Sequence, residues 1–168
     1  MSMRHLIKQR DSQPRGWVAD EWRYANEDPV GRERALILPF ARWQEERGRW
    51  WLWDGRLGVK LGPNDPVAGL EHDFLRVSLV AIEFDGLDPE RSYSQARLLR
   101  NRYKFTGELR AVGKIHRDQL FLMARSGFDA FELPDAANVS EALAAFDDFT
   151  VPCQPTLDRG LTLQRRVG

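Results

Sequence analysis

The sequence contains a single cysteine, Cys153, among its 168 residues. That excludes an internal disulfide and a protein-held iron–sulfur cluster, since such clusters normally take four cysteine ligands. Histidine is nearly as scarce. His5, His72 and His116 stand far apart, with no HxxxH or HxH spacing, so no structural zinc site is expected. Net charge is absent too: 25 basic side chains balance 25 acidic ones. No overall field draws the chain to nucleic acid or to an anionic membrane, and any anion site has to be local. The longest apolar runs, "LVAIEF" and "LFLM", fall far short of the roughly 20 residues that a membrane-spanning helix needs. The start, "MSMRHLIKQRDSQPRG", lacks the apolar core of a signal peptide. No membrane partner and a cytoplasmic location are the expectation. Neither GxxxxGK[ST] nor GxGxxG follows any apolar run, and there is no GxSxG elbow. With no cluster ligands and no dinucleotide loop, no tightly held cofactor is expected.

What is present describes a folding domain, with 42% hydrophobic and 30% charged residues. Residues 1–33 are interrupted by Pro14, Gly16, Pro29 and Gly31 and read as an irregular N-terminal segment in which "RHLIKQR" makes at most a short edge strand. Residues 34–150 alternate regularly. "ALILPF", "RLGVKLG", "VSLVAIEF", "ELRAVG" and "FDAFEL" are five short strands of the continuously apolar kind that parallel sheets bury on both faces. Helical spacing separates them in "ARWQEERGRWW", in the stretch from Asp65 to Phe74, in "SYSQARLLRNR" and in "HRDQLFLMARSG". Ser92 with Gln95, and Asn138 with Glu141, have capping-box spacing, and Gly127 suits a left-handed helix end. Residues 151–168 lose periodicity and read as a mobile tail. The pattern implies one α/β domain with a mostly parallel sheet of about five strands, either open and doubly wound or curved as part of a barrel.

In such a sheet ligands gather at the carboxyl ends of the strands. Those ends carry Lys60, Glu83, Arg110 with Gly113, and Glu132. The helices that follow add Tyr93, Ser94 and Arg97 in one case, and Arg117, Asp118 and Gln119 in the other. A helix start with nearby arginines is a place for an oxyanion, while Arg100 and Lys104 read as part of a solvated helix face. Arg110 lies on a strand that should be buried, so it needs a carboxylate, and Glu83 on the preceding strand is the expected one. Glu83 and Asp118 are the candidate proton-transfer groups. Trp50, Trp51 and Trp53, with Trp43 close by, crowd more aromatic surface into one stretch than one helix side buries; the excess is a candidate partner surface.

The run "YSQARLLRNRYKFTGELRAVGKIHRDQLFLMARSGFDAFEL", residues 93 to 133, resembles a bacterial family catalogued as domain of unknown function 934. The resemblance extends upstream through "LVAIEF" and "RLGVKL", and covers most of the chain from about Ile37 to Phe149. Members of that family are typically encoded beside the assimilatory sulfite reductase hemoprotein and are often labelled as oxidoreductases of sulfate assimilation. The resemblance therefore implies an accessory of that haem enzyme in reducing sulfite to sulfide, with help in delivering electrons as one form of the role. It places the family's polar signature on Tyr93, Ser94, Gln95, Arg97, Arg100, Glu108, Arg110, Arg117, Asp118 and Gln119. The chain departs from the family in the loop "DGLDPERSYS", where DGRGYS is usual, and at Ser126, where a cysteine is usual. The alternative drawn from the residues themselves is a small α/β enzyme that binds an oxyanion metabolite at the strand ends.

Overall fold

The computed structural model describes residues 5–10, 13–26, 31–133 and 140–144. Its strands are β1 (His5–Arg10), β2 (Gln13–Val18), β3 (Arg23–Tyr24), β4 (Ala35–Pro39), β5 (Arg56–Leu61), β6 (Val77–Phe84), β7 (Glu108–Gly113) and β8 (Ala130–Leu133). The helices are α1 (Phe40–Glu45), α2 (Arg47–Trp51), α3 (Pro89–Arg97) and α4 (Leu120–Arg125), with 3₁₀ turns at Leu70–Asp73 and Arg117–Gln119 and a π-turn at Leu98–Arg102. Residues 140–144 are also helical. Among the described residues no helix is long and apolar enough to cross a membrane.

The strands form one sheet in the order β2-β1-β8-β7-β6-β5-β4-β3. Strands β3 to β8 are parallel to one another, and β1, antiparallel to β8, and β2, antiparallel to β1, close one side. The sheet is thus mixed and has eight strands among the described residues rather than about five. The added strands lie within residues 1–33. The "RHLIKQR" run is not an edge: β1 is held between β2 and β8.

The parallel strands follow one another in chain order with no reversal, so there is no topological switch point and the sheet is not doubly wound. Right-handed crossovers in a sheet wound one way put every helix on the same face. Side-chain alternation agrees. Leu36, Leu38, Leu57, Val59, Leu61, Val80, Ile82, Phe84, Leu109, Ala111 and Phe131 share one core with helix residues Trp43, Trp50, Ala96, Leu99, Leu120 and Met123. The opposite face contributes Ala35, Ile37, Leu79, Ala81 and Val112 to a smaller cluster closed by Trp22. With the described helices on one side only, the sheet curls into a half-barrel. The curl is visible in one contact. β3 and β8 are five positions apart, about 24 Å in a flat sheet, yet the Tyr24 hydroxyl donates to Glu132 Oε2 at 2.8 Å.

Several local expectations change. The stretch from Asp65 to Phe74 holds only the 3₁₀ turn Leu70–Asp73, because the Asp65 carboxylate folds back to accept the Gly62 N–H at 2.7 Å. Helix α3 starts earlier than Ser92: Asp88 is its N-cap and Pro89 its first residue, where a missing N–H costs nothing. Ser92 and Gln95 are instead ties to the sheet. The Ser92 hydroxyl donates to the Glu83 carbonyl at 2.8 Å, and the Gln95 amide donates to the carbonyls of Gly62 and Asp65.

Arg100 is not on a solvated face. Its guanidinium donates to the carbonyls of Phe105, Gly107 and Gly127 and pairs with Asp129, holding together the turns that flank β7 and β8. Gly127 does take the left-handed cap, at φ +109°, and the Phe128 N–H bonds the Met123 carbonyl. The tail 151–168, Cys153 and the capping residue Asn138 lie outside the described residues.

Candidate functional site

The face of the half-barrel that is helix-free among the described residues carries charge in its interior. On each strand the residues pointing there alternate with those of the main core. Gly58 and Lys60 do so on β5, Ala81 and Glu83 on β6, Glu108 and Arg110 on β7, and Ala130 and Glu132 on β8. Small residues in the middle of this face leave room for Trp22 and for the Arg110 side chain.

Arg110 is fully buried and held by three carboxylates. Its Nη1 and Nη2 donate to the two oxygens of Asp20 at 2.9 and 3.2 Å, its Nε donates to Glu108 at 3.0 Å, and Glu132 lies 3.6 Å from Nη1. Burial opposes the charge, but Glu108 and Asp20 outweigh it and raise the guanidinium pKa above its ordinary value. Lys8 pairs with the second oxygen of Glu108 at 2.9 Å. Glu83, the partner expected from the sequence, bonds Lys60 instead, with Nζ 2.8 Å from Oε1. Register alone leaves both cations within its reach, since Lys60 and Arg110 both pair with Ala81 and Glu83 stands one step higher, beside Val112; Arg110 is already occupied by Asp20 and Glu108. Glu83 takes the cation on the β5 side, and Asp20 arrives from the β3 end to take Arg110.

Above this layer the strand ends open into a cavity of about 540 Å³, lined by Arg23, Tyr24, Asn26, Lys60, Glu83, Val112, Gly113 and Glu132. It occupies the carboxyl ends of β5 to β8, where sites gather in parallel barrels. Arg23 pairs with Glu33, and Tyr24 with Glu132. Gly113 has φ +91°, and a Cβ there would lie 2.6 Å from the Phe84 carbonyl oxygen, so only glycine fits this rim. Among the described residues no group of three or more His, Cys, Asp and Glu is placed to hold a metal ion.

Of the candidates read from the sequence, Lys60 and Glu83 meet at this mouth, and Arg110 lies in the layer beneath it. Tyr93 is in the helix-side core, edge-on to Phe84 at 5.4 Å between ring centres, and its buried hydroxyl has no hydrogen-bond partner among the described residues. Burial, with the Glu90 charge, raises its pKa. Ser94 and Arg97 are exposed on the outer side of α3, with Arg97 3.7 Å from Glu90. Arg117 and Asp118 are exposed, and Gln119 is half-buried, its carbonyl oxygen accepting the His116 N–H.

The tryptophans do not form one patch either. Trp50 is core, Trp53 packs edge-on to it, and of these three Trp51 is the one substantially exposed, at 39%. The Trp51 indole N–H reaches Asp73, a buried carboxylate that also accepts from Trp43 at 2.9 Å and from Arg47. This cluster lies on the helix side, apart from the mouth. The mouth residues that sequence reasoning missed are Arg23, Tyr24 and Asn26, together with Asp20 beneath; the polar and aromatic density of "DEWRYAN" was the available signal.

Fold and site together define a one-way-wound α/β half-barrel with a polar, charge-paired mouth. The sequence matches the model of a family described as "Bacterial protein of unknown function (DUF934)" over residues 58–163, well over half of the chain, and the chain belongs to that family. No curated protein matches it.

Proposed function

We propose that this protein is an accessory of assimilatory sulfite reductase, acting in the reduction of sulfite to sulfide and aiding electron delivery to the hemoprotein. Family membership and the resemblance carried by residues 93 to 133 support the association. One structural observation favours a partner role over a self-sufficient oxyanion enzyme. The basic groups that would bind the anion do not converge: Arg110 is saturated by Asp20 and Glu108, and Arg97 is on the outer surface beside Glu90. The test is affinity purification of the tagged chain from cells grown on sulfate. The haem protein should be retained, visible by its absorption spectrum. A strain without the gene should fail on sulfate or sulfite and recover with sulfide or cysteine. Clean recovery of the chain alone, with normal growth of that strain, would refute the role.

A second reading is favoured by the cavity itself. Its volume of about 540 Å³ falls within the range of small-molecule sites, and it sits where barrel chemistry is done. On that reading the mouth holds a small polar metabolite, with Lys60 and Glu83 as its charged contacts and Glu83 as the proton-transfer group.

A further inference from the structure

The mouth presents paired charges rather than charge of one sign, and from this we infer the class of ligand it takes: a small zwitterion, with an ammonium and a carboxylate a few bonds apart, as in a free α-amino acid. This rests on the small-molecule reading of the mouth. Lys60 and Glu83 form one ion pair at 2.8 Å, and their side chains are 29% and 36% exposed, so both heads face the cavity rather than the core. The other wall carries Arg23, paired with Glu33, and Glu132, bonded by Tyr24.

A lone oxyanion entering this space has to draw Lys60 away from Glu83. That leaves a partly desolvated carboxylate without its cation and next to the new negative charge, which is the costly event in breaking any sheltered pair. Glu132 on the facing wall adds to the repulsion. A lone cation meets the mirror-image cost at Lys60. A zwitterion inserted between the two heads turns one ion pair into two, its carboxylate on Lys60 and its ammonium on Glu83, and leaves no charge uncompensated. Tyr24 and Asn26 line the same cavity and supply hydrogen-bonding groups for a polar substituent. Gly113 keeps bare backbone at the rim.

The test is a nitrogen-15 NMR titration of the full chain with L-alanine, L-serine and L-glutamine. Propionate, ethylamine and sulfate serve in separate arms at matched ionic strength. At least one amino acid should give saturable shifts at the amides of Lys60, Glu83 and Gly113, half-saturating at about tenfold lower concentration than any single-charge probe. Lys60→Met and Glu83→Gln should each weaken that amino acid about tenfold while leaving the remaining spectrum folded. If sulfate or propionate saturates the same amides as readily as every amino acid, the zwitterion is refuted but the small-molecule site stands. If no probe shifts them, both fall. The wild-type arms decide this even if a variant does not fold.

Discussion

Asp20 and Arg110 are 90 positions apart in the chain, yet the Asp20 carboxylate accepts two hydrogen bonds from the Arg110 guanidinium, at 2.9 and 3.2 Å. Asp20 precedes β3 and Arg110 is on β7, four strands away in the sheet. The pair therefore ties the two arms of the curled sheet to each other across its helix-free face. Trp22, two residues on, is buried in the smaller core behind it.

Removing the cation should be severe. Arg110→Met leaves Asp20, Glu108 and Glu132 sheltered together without their common partner, and should cost about 3–5 kcal/mol in urea unfolding. Arg110→Lys should recover little of that, because an ammonium lacks the planar fork that meets two carboxylates at once. Asp20→Asn should instead speed amide exchange locally, at residues 19–25, before it affects the helices.

Asp73 does the corresponding work on the helix side, where it is 3% exposed and accepts from two indoles and Arg47. Asp73→Ala strands the Trp43 N–H, and should destabilise by about 2–4 kcal/mol. Trp51→Phe loses only a long 3.3 Å bond at a half-open position and should cost under about 1 kcal/mol. Chemical unfolding followed by tryptophan fluorescence reads both.

Two glycines should respond in opposite directions. Gly113→Ala forces a side chain onto φ +91° and against the Phe84 carbonyl, and should lose about 2 kcal/mol or more. Gly48 lies within α2 with nothing near its missing Cβ, so Gly48→Ala should gain about 0.5–1 kcal/mol. Thermal melts of the two variants side by side check the contrast.

The loop before α3 should leave a mark in acid. Asp85 accepts the Leu87 and Asp88 N–H groups, and these hold its pKa below the ordinary 3.8. The folded state thus prefers the carboxylate. The stability this gives is present above pH 3.8 and is lost as pH falls through the lowered value. Asp85→Asn should therefore melt below wild type at pH 6, and the gap should close on acidification toward pH 2. A constant gap across that range would rule out the linkage.

The parallel strands and their crossovers were legible because each is a short apolar run bounded by turn residues, and β4 to β8 stand where those runs predict. The N-terminal strands were not, since "QPRGWV" carries Pro14 and Gly16, and its pairing with β1, itself held on the distant β8, overrides that weak local signal. Winding was also hidden. "VSLVAIEF" reads as apolar throughout, yet Leu79 and Ala81 face a different layer from Val80 and Ile82, and only the strand order shows that none of the described helices covers this layer.

Among the candidate site residues, Lys60 and Glu83 read as strand-end positions, and the structure brings them together at the mouth. Tyr93 and Arg97 read as neighbours of the same rim, and the structure sets them apart from it, Tyr93 in the helix-side core and Arg97 on the outer surface of α3. The partners of Arg110 depend on a contact 90 positions long, which no local pattern encodes.

Growth is the most direct measure of whether the mouth is the working part of a protein in sulfite reduction. A strain lacking the gene, supplied with sulfate as sole sulfur source, should be restored by the wild-type chain and by Arg97→Ala or Arg117→Ala. The double variant Lys60→Met with Glu83→Gln, shown to be folded by circular dichroism, should fail to restore it. Full restoration by that double variant, or unaided growth of the strain, would contradict the account.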